Sequence, residues 1–131
     1  MGRYGGPAQS RITRKETIMG IPNATHKAAS DAIAGLGDWI SVHTGAAGTT
    51  GANEATGGGY AREQTSWTSG SSGTNTGDEV EISVAAGTYV EGGIWSASSS
   101  GTFVGSEAFD DGDVEVSGTG ASISVTPRIV A

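Results

Sequence analysis

Cysteine is absent from the chain, which excludes a disulfide framework, a thiolate metal site and a cysteine nucleophile. Leucine occurs once, at Leu36, and proline three times. Charged residues make up only 16% of the chain, and no run approaches the ~18–20 consecutive apolar residues of a membrane-spanning helix, so no membrane partner is expected. The 23 glycines follow no G-X-Y period, so the chain is not collagen-like. Scarce leucine with abundant glycine argues against a helical bundle and favours short strands joined by many turns. A length of 131 residues fits one domain with an extension at one end.

Charge of one sign is missing from each part of the chain. The first thirty residues carry Arg3, Arg11, Arg14, Lys15 and Lys27 against Glu16 alone, a net +4. The rest carries only Arg62 and Arg128 against thirteen carboxylates, a net −11. An acidic body repels phosphates, so no nucleic-acid partner is expected. The first residues include arginines but no apolar stretch of ~7–15 residues behind them, which reads as synthesis in the cytoplasm without a secretory signal.

Residues 1–22 show no periodicity, and Gly2, Gly5, Gly6, Pro7, Gly20 and Pro22 interrupt any regular element. This segment is expected to be an extended basic arm that cannot fold alone. Residues 24–36 read as the one helix, capped by Asn23 or Thr25. Ala29, Ala32, Ile33 and Leu36 share one face, while His26, Lys27, Ser30 and Asp31 point to solvent. Gly35 and Gly37 stand where a glycine stop belongs. Beyond Asp38 the period is two. Residues 39–44, 79–84, 113–117 and 121–125 alternate, with residues 60–67, 89–95 and 102–105 as further strands and Gly/Ser-rich turns between them.

The resulting fold class is mostly β: a compact antiparallel β-sandwich or barrel with one short N-terminal helix and an extended N-terminal arm. The expected division is an arm over 1–22 and a single domain over 23–131. The expected core is Val80, Ile82, Val84, Ile94, Val114, Val116, Ile123 and Val125. Glu79, Glu81, Asp113 and Glu115 fall on the wetted faces.

Chemistry is sparsely supported. His26 and His43 lie on different elements, and HxH, HExxH and G-x-S-x-G are absent. A Ser/His/Asp triad is not excluded by composition, but His43 reads as a strand residue bonded to a neighbouring loop. Glu107, Asp110, Asp111 and Asp113 lack the spacing of a calcium loop and read as a solvated turn. The glycine runs at 45–51 and 57–59 are followed by neither GKS nor a helix, so they read as loops rather than phosphate cradles. Asn53, Glu54 and Arg62 read as a local ion pair or loop tie. Trp67, Trp95 and Tyr60 read as core-filling aromatics rather than a carbohydrate platform. No catalytic residue, metal or cofactor is expected.

Three runs, Trp39-Ile-Ser-Val-His-Thr-Gly45, Gly48-Thr-Thr-Gly-Ala-Asn-Glu54 and Thr56-Gly-Gly-Gly-Tyr-Ala-Arg62, stand in order. Gly93-Ile-Trp-Ser96 and Gly101-Thr-Phe-Val-Gly105 follow. Together they resemble a family of small tailed-bacteriophage virion proteins, whose members are labelled tail fibre or minor structural proteins. The resemblance covers about residues 28–126 and leaves the arm outside. Ala46 and Ala47 stand where the family pattern has a proline turn.

The resemblance implies a non-enzymatic virion structural protein. A fibre normally needs a long shaft or a coiled-coil stem, and the chain has neither heptads nor repeats. The expectation is therefore a minor capsid or decoration protein on the capsid surface, with a tail-fibre or tail-tip component touching the host surface as the alternative. A small carbohydrate-active enzyme or lectin is the weakest reading, since no motif singles out an acid pair. The expected partners are the major capsid protein and copies of the chain itself. They would be gripped through Arg3, Tyr4, Arg11, Ile12, Arg14, Lys15, Ile18 and Ile21 of the arm.

Overall fold

A computed structural model describes residues 12–15 and 20–131. Helix α1 (Asn23–Ala34) leads into strands β1 (Trp39–His43), β2 (Glu63–Gln64), β3 (Trp67–Ser69) and β4 (Thr74–Gly77). Next come β5 (Val80–Val84), β6 (Gly87–Tyr89), β7 (Glu91–Trp95) and β8 (Phe103–Ala108). The chain closes with β9 (Val114–Val116), β10 (Ala121–Val125) and β11 (Arg128–Val130). Every pairing among the described residues is antiparallel. The sheets run β2-β1-β7-β8, β10-β5, β11-β4-β3 and β6-β9. They pack as a sandwich and do not close into a barrel.

Alternation explains the clearest strand. Val80, Ile82 and Val84 of β5 are buried while Glu81 and Ser83 are exposed. They meet Ile40 and Val42 of β1, together with Ala55, Tyr89 and Ile123, in one core. Ile94, Val114, Val116 and Val125 are half-buried and pack against that core rather than forming its centre. Glu79, Glu81, Asp113 and Glu115 are exposed.

The expected segment 60–67 is two short strands in different sheets. The chain switches at Thr65, whose N–H reaches Asp38 O at 2.8 Å and whose hydroxyl donates to Asp78 O at 2.8 Å. The expected segment 89–95 divides at Val90 in the same way, with Val90 N–H on His43 O at 2.8 Å. The expected turn 69–77 contains β4, which pairs on both sides, with β3 and β11. Its sequence, Thr-Asn-Thr-Gly, carries no hydrophobic signal because Asn75 is buried for its hydrogen bonds.

Those bonds overturn the expected helix face. Ser30 is fully buried, His26, Lys27 and Asp31 are half-buried, and Ala29, Ala32 and Leu36 are exposed. The helix docks through its polar side. Asn75 Nδ2 donates to Ser30 Oγ at 2.7 Å and to Asp31 Oδ1 at 3.0 Å. Lys27 Nζ donates to Asp31 Oδ2 at 2.7 Å and to Ser69 Oγ at 2.9 Å, and Ser69 donates to Asp31 Oδ1 at 2.5 Å. Lys27, Ser69 and Asn75 hold the Asp31 carboxyl far below the usual carboxylate range.

His26 Nδ1 lies 2.9 Å from Ala131 O. This approach needs Gly73, where φ is +101° and a Cβ would lie 2.7 Å from His26 Cβ. The sheet surface under α1 thus offers mainly hydrogen-bond partners, and of the expected apolar face only Ile33 is half-buried. Neither Asn23 nor Thr25 caps the helix. The N-cap is Pro22, in extended conformation and without a side-chain bond. Gly35 caps the C-terminus in a right-handed conformation.

The inverted face predicts opposite outcomes for two substitutions. Asn75→Ala, which strands the buried Ser30 hydroxyl, should lower the unfolding free energy by about 1–3 kcal/mol in urea denaturation. Leu36→Ser should change it by less than about 0.5 kcal/mol. The reverse order would return the helix to its apolar face.

Candidate interaction site

The runs Trp39–Gly45, Gly48–Glu54, Thr56–Arg62 and Gly93–Ser96 converge on one polar network beneath the glycine-rich loop 45–62. Arg62 lies at its centre and is 8% exposed. Its Nε donates to Glu54 Oε2 at 2.7 Å and its Nη2 to Glu54 Oε1 at 2.9 Å, a two-pronged pair. Its Nη1 donates to the carbonyls of Ala97 and Ser100, both at 2.9 Å. The guanidinium carbon lies 3.7 Å from the centroid of the Trp95 ring. Tyr60 donates its hydroxyl to Glu54 Oε2 at 2.6 Å. The loop tie read from Glu54 and Arg62 is therefore present. Asn53 serves separately, donating to Ala46 O at 2.9 Å.

Electrostatics follow from this geometry. Burial pushes the Glu54 carboxyl up, but the hydrogen bonds from Arg62 and Tyr60 outweigh it and hold the group below its usual range. Burial, reinforced by the Glu54 acceptor, pushes the Tyr60 phenol far above its usual range.

A nucleophile–base spacing also appears under the loop. Ser41 Oγ lies 2.8 Å from His43 Nε2. Both residues are fully buried, because β1 is covered on its second face by Trp95, Phe103 and the loop. His43 Nδ1 lies 2.8 Å from Ala52 O. A carbonyl only accepts, so Nδ1 carries the proton and Nε2 accepts from Ser41. Trp95 Nε1 donates to Ser41 Oγ at 3.0 Å. The pair is spent in holding the loop, and the partner of the ring is a backbone carbonyl rather than a carboxylate. His43 is thus the loop-bonded strand residue that its sequence context suggests.

Gly93 and Gly51 make this packing feasible. A Cβ on Gly93 would meet Ser41 Oγ at 2.5 Å and His43 Nε2 at 2.8 Å, and one on Gly51 would overlap the Trp95 ring. Sequence reasoning missed Ser41 and Trp95 as members of the network. The available signal was that the resembling runs cluster on strands which end up adjacent.

Other sequence candidates separate. Trp67 is half-buried and donates Nε1 to Gly37 O at 2.9 Å, so neither it nor Trp95 forms an open aromatic platform. Asp110 pairs with Arg128 at 3.3 Å, and the described residues hold no group of three or more side chains placed to hold a metal ion. Of the arm residues, Ile12, Arg14, Lys15 and Ile21 are exposed, and Arg3, Tyr4, Arg11 and Ile18 lie outside the described residues. A groove of about 420 Å³ lies between β8 and β11, reached by Ile33 of α1. Its walls come from residues nearly a hundred positions apart, which is why no sequence motif announces it.

A family model described as Gp80, Podophage GP4 fiber I protein gp80, matches residues 23–126. Neither the curated proteins nor the solved structures contain a match to the chain. The matched span contains the whole polar network and leaves out the arm.

Arg62→Ala should destabilise the protein by about 2–3 kcal/mol in denaturant titrations, since it leaves the half-buried Glu54 carboxylate without its cation. Arg62→Lys keeps the charge but not the fork, and should fall between that variant and the parent. The pH dependence has two limbs. Glu54 and Asp31 have lowered folded values, so their stabilisation is complete above the ordinary carboxylate range and is lost as pH falls. Tyr60 has a raised folded value, so its stabilisation is complete below its ordinary value of 10.0 and is lost as pH rises. Midpoints should be flat between about pH 5 and 9, and Tyr60→Phe should abolish most of the alkaline loss. An unchanged alkaline limb in that variant would count against the network.

Proposed function

The chain belongs to the Gp80 family of podophage fiber proteins, and from that premise we propose that it is a non-enzymatic structural component of a podophage tail fibre. The observation that carries the reading is the family match across residues 23–126, which covers every element from α1 through β10. The structure adds a physical reason for a purely structural role. Among the described residues, the Ser41–His43 pair is sealed in the core, and the two-pronged Arg62–Glu54 ion pair ties down a loop.

The family description speaks for the fibre rather than for decoration of the head lattice. Lack of a shaft argues against a fibre only if one chain must make the whole of it. A chain of 131 residues is suited to be one module of a fibre, joined to others at its ends. On this reading the protein sits on the tail of the virion, and its partners are copies of itself and a neighbouring tail protein. The major capsid protein is not needed as a partner. The arm residues Ile12, Lys15 and Ile21 are exposed, as such contacts require.

Gold-labelled antibody against the folded body, imaged on intact particles, tests this. Label should lie along fibres at the tail. Label spread over the head facets would overturn the fibre assignment in favour of a capsid protein.

A further inference from the structure

We propose that the groove between β8 and β11 receives the N-terminal arm of a second copy of this chain, laid in as an extended segment. Among the described residues both walls are sheet edges, since there β8 pairs only with β7 and β11 only with β4. The register shows which backbone groups are left over. Gly77 N–H reaches Pro127 O at 2.8 Å and Ala131 N–H reaches Gly73 O at 2.9 Å. Alternate residues of an antiparallel strand turn to opposite sides, so Arg128 and Val130 turn their backbone groups away from β4. On the other wall, Phe109 N–H reaches Val90 O at 3.2 Å. By the same alternation Ser106 and Ala108 turn theirs away from β7. All four residues line the groove.

An extended peptide satisfies such open rows by adding as a strand, while apolar ground between them takes alternate side chains. That ground is present here: Ile33, Ile94, Val104, Phe109 and Val125 line the groove and are only half-buried, and Val130 is 70% exposed.

Charge and leftover apolar surface choose the occupant. Residues 1–22 carry four cations and one carboxylate, a net +3, against −11 on residues 31–131. Exposed Glu107 stands at the groove, beside Asp110, which Arg128 of β11 pairs at 3.3 Å, so the groove itself keeps one net negative charge from these three. Ile12 is 78% exposed and Ile21 45% exposed, and neither lines the groove of its own chain. In an extended arm Ile12 and Ile18 fall on the same side, roughly 20 Å apart, which suits an elongated site. Exchange of arms between identical chains closes a ring or continues along a filament. This inference does not rest on the fibre reading, since arm exchange works at any place on the virion.

The absence of native cysteine makes a clean test. Ile12→Cys and Val130→Cys are introduced into separate full-length chains, which are mixed and mildly oxidised. Both positions are exposed, so each variant should melt like the parent. A bound arm holds the thiols at millimolar effective concentration, so the disulfide-linked dimer should exceed a control pair, Ile12→Cys with Thr119→Cys, by at least about ten-fold. A yield equal to that control would overturn the proposal. So would an intrachain disulfide in a chain bearing both substitutions while the mixed pair stays at the control level, since the groove would then take its own arm.

Discussion

A guanidinium removed from water must have its donors met, and Arg62 is the group on which the rest of this structure depends. An unpaired buried charge costs several kcal/mol, a large share of the stability of a small domain. Glu54 and the carbonyls of Ala97 and Ser100 therefore have to stand where they do, with Trp95 as the platform beneath. Satisfying Trp95 in turn requires Ser41, Ser41 requires His43, and His43 requires the carbonyl of Ala52. One relay of donors and acceptors thus pins the loop 45–62 to β1, β7 and the turn before β8. It explains why residues scattered over sixty positions act together, and why glycine is needed at 51 and 93 to let the rings approach.

The same principle governs the helix. α1 is held by Ser30, Asp31, Lys27 and His26 on a sheet surface that offers Asn75, Ser69 and the Ala131 carbonyl. Hydrogen bonds with charged members are worth more than neutral ones, and the Asp31 carboxylate here accepts from Lys27, Ser69 and Asn75. The consequence is an unusual exterior. Leu36, Val130, Ile12 and Ile21, among the largest apolar side chains of the described residues, remain on the surface. For a family of fiber proteins, surface left apolar in the single chain is surface available to neighbours.

Where strand and core coincide, the sequence was readable. Val80, Ile82 and Val84 alternate with polar residues because one face of β5 is dry and the other wet. β1 alternates in sequence like a strand with one dry face, yet Ser41 and His43 are buried as well, because Trp95 and the loop cover the second face. β4 was invisible because Asn75 and Gly77 are buried for bonding and close approach rather than for hydrophobicity. The helix was visible as a helix, but its apolar stripe named the wrong side.

Composition and periodicity by themselves determined the β class, the single leading helix, the charge contrast between arm and body, and the loop tie between Glu54 and Arg62. Those properties are local, or depend on hydrophobic period alone. Tertiary structure decided which helix face docks, that Ser41 and His43 are sealed beneath the loop, and that two edges open among the described residues flank one groove. Each of these depends on polar partners brought together from distant parts of the chain. A hydrogen bond leaves no periodic trace in sequence, because it needs only one donor and one acceptor at the right distance.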